Sequence, residues 1–105
     1  MDYIAATIKD YLKANGKATR GELTLLTGLK DRENRRIVER LRRQGEPIGL
    51  GYRGGYTWND PQDVDRIIKL LQARAYRELS TAAALKGRPL DGQLTLEEVL
   101  DGVLL

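Results

Sequence analysis

Residues 30–45, KDRENRRIVERLRRQG, hold half of the chain's arginines and decide the fold. At the helical period Ile37, Val38 and Leu41 share one arc, while Arg32, Arg36 and Arg43 lie opposite, flanked by Arg35, Arg40 and Arg42. The pattern predicts a helix with one buried and one basic face. Asp31 is expected to cap its N-terminus and Glu33 to sit in the first turn, where negative charge is favoured. Gly45, followed by Glu46 and Pro47, supplies the stop.

A solvated charged face is the ordinary explanation of an arginine-rich helix, and part of the pattern fits it. Asp31 is placed to pair with Arg35 and Glu39 with Arg43. Arg42 and Arg43 also suit the negative end of the helix dipole without any ligand. Arg32, Arg36 and Arg40 differ, because like charges at i, i+4 spacing weaken an isolated helix and gain most from a polyanion.

Outside this stretch, composition sets bounds. A chain of 105 residues holds one small core and an appendage. A hydrophobic share of 41% suits a globular protein, and no apolar run is long enough to span a bilayer. No secretory signal pattern opens the chain, so a cytoplasmic, non-membrane protein is expected. With neither cysteine nor histidine, the chain lacks disulfides, thiolate or imidazole metal ligands, and the usual nucleophile–base pairs. We therefore expect no enzyme, metal or cofactor. The formal charge is +3, yet residues 30–53 carry eight basic against four acidic residues. Basic charge confined to one stretch points to a polyanionic partner met by one surface.

In chain order, residues 2–14 place Ile4, Ile8, Tyr11 and Leu12 on one helical face, ended by Asn15-Gly16. Lys17-Ala18 is a short extended link. Thr19-Arg20-Gly21-Glu22 matches the capping box that opens a helix, which carries Leu23, Leu25 and Leu26 to Thr27-Gly28. Only Gly28, Leu29 and Lys30 then separate it from the arginine helix, a turn suited to a helix-turn-helix unit. Ile48-Gly49-Leu50 and Tyr56-Thr57-Trp58 are strand candidates joined by Gly51-Tyr52-Arg53-Gly54-Gly55. This predicts a hairpin with an arginine at its tip.

Three helices followed by such a hairpin resemble the winged helix-turn-helix, in particular the N-terminal domains of biotin-ligase-type repressors and small phage or prophage winged-helix proteins. The resemblance covers residues 1–58 and rests on Asp31-Arg32, Arg35-Arg36, Leu41-Arg42-Arg43-Gln44-Gly45 and Pro47-Ile48. It implies a mostly α fold with a small β-hairpin and a duplex DNA partner. The arginine helix would enter the major groove with Arg32, Arg35 and Arg36 nearest the bases and Arg40 nearer the backbone, and Lys30 is also expected to bind DNA. Thr19 and Arg20 would approach phosphate. Tyr52 and Arg53 would touch the minor groove or sugars, whereas Tyr56 and Trp58 belong to the core. Asn34 departs from the family pattern, standing on the core-facing arc where an aliphatic residue is usual. It is expected to join Asp31 in capping the helix.

Asn59-Asp60-Pro61 announces a further helix running to Lys86. Val64, Ile68, Leu71, Ala75, Ala82 and Leu85 follow 3-4 spacing along it, interrupted where Glu78 takes the apolar position and Leu79 sits beside it. Residues 64–71 are expected to close the domain's own core, and the whole seam (Ile68, Leu71, Ala75, Leu79, Ala82, Leu85) to support a homodimer. Beyond Gly87 and Pro89, residues 88–105 are rich in leucine and valine and need a surface to cover. Gln93-Leu94-Thr95-Leu96 resembles the sliding-clamp-binding pentapeptide of bacterial replication proteins, except that Glu97 replaces the aromatic anchor.

The expected organisation is a winged helix at 1–59, a long helix at 60–87 and a leucine-rich tail at 88–105. The function expected is duplex DNA binding in transcriptional regulation or phage-type replication. The alternative is a protein-interaction adaptor that uses the long helix and the tail, with the arginines only solubilising.

Overall fold

The computed structural model describes residues 2–87. The leucine-rich segment expected at 88–105, with its clamp-like stretch, lies outside them. The chain divides into two units, Met1–Ile68 and a second beginning at Lys69. The described residues are mostly helical, with a small antiparallel sheet and a long C-terminal helix.

Helix α1 spans Asp2–Asn15. The capping box then forms as the residues predict: Glu22 N donates to Thr19 Oγ1 at 3.0 Å and Thr19 N donates to Glu22 Oε1 at 3.3 Å. It starts α2, Arg20–Thr27, which Gly28 ends with φ +73° and an N–H donated to the Thr24 carbonyl oxygen. Three residues later α3 begins, Asp31–Arg43. Its N-cap is Lys30, with no side-chain capping bond, and not Asp31. The Asp31 carboxylate turns to Arg20 and Arg35 instead, because two guanidinium groups outweigh one backbone amide as partners.

The sheet has three strands rather than the two of a hairpin. The extended link is β1, Lys17–Ala18, and it pairs with β3, Tyr56–Trp58, which pairs in turn with β2, Ile48–Leu50. The strand order is β1-β3-β2, antiparallel throughout. A single 3₁₀ turn at Tyr52–Gly54 joins β2 to β3, and Arg53 sits in it with φ 59°.

The core is built from Ile8 and Leu12 of α1, Leu23 of α2, Ile37, Val38 and Leu41 of α3, and Ala18, Ile48 and Tyr56 of the sheet. Trp58 is half-buried against it, so both wing-side aromatics pack inward as expected. From α2 only Leu23 enters; Leu25 is 88% exposed. Asn34, 1% exposed, does not cap α3. Its carboxamide meets Thr27 Oγ1 at 2.8 Å, linking α2 to α3. The Thr27 hydroxyl also lies 2.9 Å from the Leu23 carbonyl oxygen, and Asn34 Nδ2 has no partner among the described residues. One hydroxyl proton cannot serve two acceptors. Exchanging the amide O and N lets Nδ2 donate to Thr27 while Thr27 donates to Leu23, which resolves the competition for the hydroxyl proton and leaves Oδ1 as the amide atom without a partner among the described residues.

Helix α4, Pro61–Leu85, starts at Asp60, whose Oδ1 accepts from Gln62 N and Asp63 N. Its first turns lie on the sheet. Thr57 Oγ1 donates to Asp63 Oδ2 at 2.9 Å, and Arg66 Nη1 donates to the Leu50 carbonyl oxygen at 3.0 Å. Gly49 makes this approach possible: a Cβ there would stand 2.5 Å from that of Asp63. Ile67 is the buried residue of α4, whereas Ile68 and Leu71, expected in the core, are 45% and 44% exposed. The docked face is set by Asp63, Arg66 and Gly49 rather than by the apolar spacing. Further along the helix Tyr76 and Leu85 are also exposed. Among the described residues no helix is long and apolar enough to cross a membrane.

Candidate nucleic-acid interface

Burial of Ile37, Val38 and Leu41 fixes the rotation of α3, so the opposite side must face solvent. Arg32, Arg35, Arg36 and Arg43 are exposed there, Arg40 is half-buried, and Lys30 is exposed immediately before the helix. Lys30, Arg32, Arg36, Arg40 and Arg43 make no ion pair among the described residues; the expected Glu39–Arg43 pair does not form. The row of like charges is therefore uncompensated within these residues.

Three other arginines have structural partners. Arg20 donates to Asp31 from Nε at 3.0 Å and from Nη2 at 2.7 Å, a bidentate pair that joins the start of α2 to the start of α3. Arg35 Nη2 lies 3.6 Å from the same carboxylate. The Arg20 guanidinium holds the Asp31 carboxyl below its ordinary range, and the carboxylate raises Arg20 in turn. Arg42, expected only to complement the helix dipole, donates from Nε to the Ile48 carbonyl oxygen and from Nη2 to that of Gly49. Its guanidinium also lies 5.7 Å from the centre of the Tyr56 ring. Burial lowers its affinity for a proton, and the carbonyl oxygens take the place of lost water.

The hairpin tip stands beside this cluster. A methyl group on Gly54 would come within 3.6 Å of Arg20 Cδ and Nη1. Tyr52 is 85% exposed, with the Arg53 guanidinium 5.3 Å from its ring centre. Arg53 holds a left-handed backbone, which costs a non-glycine residue about 1 kcal/mol or more. A cleft of about 270 Å³ opens between the tip and the start of α2, lined in part by Lys17, Thr19, Glu22, Tyr52 and Arg53. The Thr19 hydroxyl and the Glu22 carboxylate are already engaged in the capping box. Glu22 also accepts from the Tyr11 hydroxyl at 2.7 Å, which pushes the Glu22 carboxyl down and the Tyr11 phenol up.

The structure thus brings together Arg32, Arg35 and Arg36 on α3 with Lys30 just before it, and Arg20 with the hairpin tip. It commits Arg20 and Arg35 to Asp31. The expected Asp31–Arg35 pair forms, but residue type and spacing do not reveal Arg20 as the nearer partner of Asp31 or the carbonyl partners of Arg42, which lie on other elements. Asn34 on the core arc is the one anomaly in the sequence that marks the α2–α3 contact. Among the described residues no group of three or more acidic side chains is arranged to hold a metal ion. The chain matches no protein-family model, no curated protein and no solved structure.

Proposed function

We propose that the chain binds duplex DNA as a winged helix-turn-helix protein, with α3 in the major groove and the Tyr52–Arg53 tip as its wing. The observation that carries this reading is that Arg32 and Arg36, on the face of α3 opposite its buried arc, are exposed and make no ion pair among the described residues. Uncompensated arginines of this kind gain most where phosphates surrender condensed counterions. Arg32, Arg35 and Arg36 would then meet base edges, and Lys30, Arg40, Thr19 and Arg20 the backbone. Titration of a labelled 20-base-pair duplex at rising salt tests it. A steep fall in affinity supports the reading, and salt-independent binding removes it.

The same reading gives α4 the role of joining two copies, each supplying one recognition helix to a two-fold site. Ile68, Leu71 and Leu85 are exposed along it, with Ala75 and Ala82 between them. Sedimentation of the protein and of Leu71→Glu tests the dimer. A role in transcriptional regulation or phage-type replication suits a small protein of this kind. The second reading is a protein-interaction adaptor, favoured by the same exposed side chains of α4 and by Tyr76. Absence of duplex affinity at low salt would select it.

A further inference from the structure

We infer that Asp31 is a positioning residue for duplex binding: it clamps Arg20 so that one rigid guanidinium spans the start of α3 and the hairpin tip, with a free edge for a DNA phosphate. This rests on the duplex-binding reading and goes beyond it, since an acidic residue on a DNA-binding face would ordinarily oppose the partner.

The geometry is specific. Arg20 offers Nε and Nη2 to the two oxygens of Asp31, at 3.0 and 2.7 Å. That fork uses one edge of a group with five N–H donors and leaves the Nη1 side unengaged. The Nη1 side is the one that faces the tip, 3.6 Å from where a Gly54 methyl would stand. An arginine free in solvent must freeze several rotatable bonds to grip a phosphate, whereas one already held by a carboxylate has lost that freedom on folding. Asp31 itself lies in the first turn of α3, where the helix dipole favours its negative charge whether or not DNA is present. The pair remains reachable, with the Arg20 side chain 54% and that of Asp31 28% exposed. Arg35 approaches the same carboxylate from one turn along α3, so Asp31 also restrains a side chain assigned to the bases. Glu33 provides the comparison: it is exposed in the same turn and makes no ion pair among the described residues.

The test turns on the sign of an effect. Removing negative charge from a DNA-facing surface raises affinity by simple electrostatics. Positioning predicts the reverse for Asp31. Against the same labelled 20-base-pair duplex, Asp31→Asn is expected to weaken binding about five- to tenfold, the loss that follows when a charge-assisted contact loses its orientation. Glu33→Gln is expected to strengthen it. Arg20→Lys keeps the charge but cannot fork onto Asp31, and should weaken binding to the same extent as Asp31→Asn. The double variant should be no weaker than either single one. Cooperative melting of Arg20→Lys and Asp31→Asn well above the assay temperature, lowered only modestly by loss of the ion pair, excludes a folding defect, and Asp31→Glu should recover part of the affinity loss. If Asp31→Asn binds as well as or better than the unaltered protein, the inference is overturned while duplex binding stands. If the unaltered protein shows no salt-dependent duplex affinity, the duplex reading fails and the inference falls with it.

Discussion

Arg42 reaches from the last turn of α3 to strand β2, donating to the carbonyl oxygen of Ile48 at 2.7 Å. A second bond runs from Nη2 to the next carbonyl, that of Gly49, at 3.1 Å. Six arginines on one short helix therefore do two kinds of work, and exposure alone does not sort them. Arg42 ties the helix to the sheet, whereas Arg36 is exposed and makes no side-chain hydrogen bond or ion pair among the described residues.

This difference gives the first prediction. Arg42→Ala should lower unfolding free energy by about 1–3 kcal/mol, since it removes two hydrogen bonds made by a charged, half-buried donor. Arg36→Ala should change stability by less than about 0.5 kcal/mol, as expected of an exposed site, yet reduce duplex affinity. Thermal melting paired with DNA titration separates the two. Equal melting temperatures for both variants would contradict the role given to Arg42.

Gly49 carries the second. A Cβ at this position would meet Asp63 Cβ at 2.5 Å and the Asp63 backbone carbon at 2.8 Å, so α4 would have to move off the sheet. Gly49→Ala should cost about 2–4 kcal/mol by overpacking, a large effect for one methyl group. It should also break the Thr57–Asp63 and Arg66–Leu50 bonds. Faster hydrogen exchange at the start of α4 would report that displacement directly.

The third concerns pH. Glu22, held by the Tyr11 hydroxyl and then by Thr19, and Asp31, held by Arg20, both have carboxyls below their ordinary values of 4.5 and 3.8. A carboxyl depressed on folding contributes stability that is present above its unfolded value and lost as pH falls through the folded one. The melting temperature should therefore drop on acidification below these values, and less in Glu22→Gln than in the unaltered protein. Tyr11 has the opposite sign: its phenol is raised above 10.0, so its contribution is present below that pH and lost as pH climbs through the folded value. Melting curves for Tyr11→Phe should lose the alkaline part of the profile and, because the same hydroxyl holds Glu22, part of the acid one as well.

Asn34 carries the fourth. Replacing it with leucine removes a buried amide while Thr27 keeps the Leu23 carbonyl oxygen and the Leu29 N–H as partners. Asn34→Leu should be neutral or stabilising within about 1 kcal/mol. Asn34→Asp should destabilise by about 3 kcal/mol or more, because it places a charge where only one hydroxyl can answer it. A strongly destabilised leucine variant would show that the amide has a second partner.

Much of this protein is determined within short stretches of sequence. The capping box at Thr19 and Glu22, the left-handed Gly28 and the Asp60-Pro61 start each act between residues four or fewer apart. The same holds for the division of α3 into apolar and basic faces, since helical rotation alone sets it. Such features are legible because their physics is complete before the chain folds back on itself.

Tertiary structure decided the rest. Lys17-Ala18 becomes a strand only because β3, some forty residues on, offers it an edge. Asp31 leaves the cap for Arg20, eleven residues away, and Asn34 leaves it for Thr27 on the preceding helix. Ile67 is buried and its neighbour Ile68 is not, because Asp63 and Arg66 bind the sheet across Gly49 and so set the rotation of α4. Polar partners and close approaches of this kind depend on which surfaces meet, and residue spacing within one helix does not encode that.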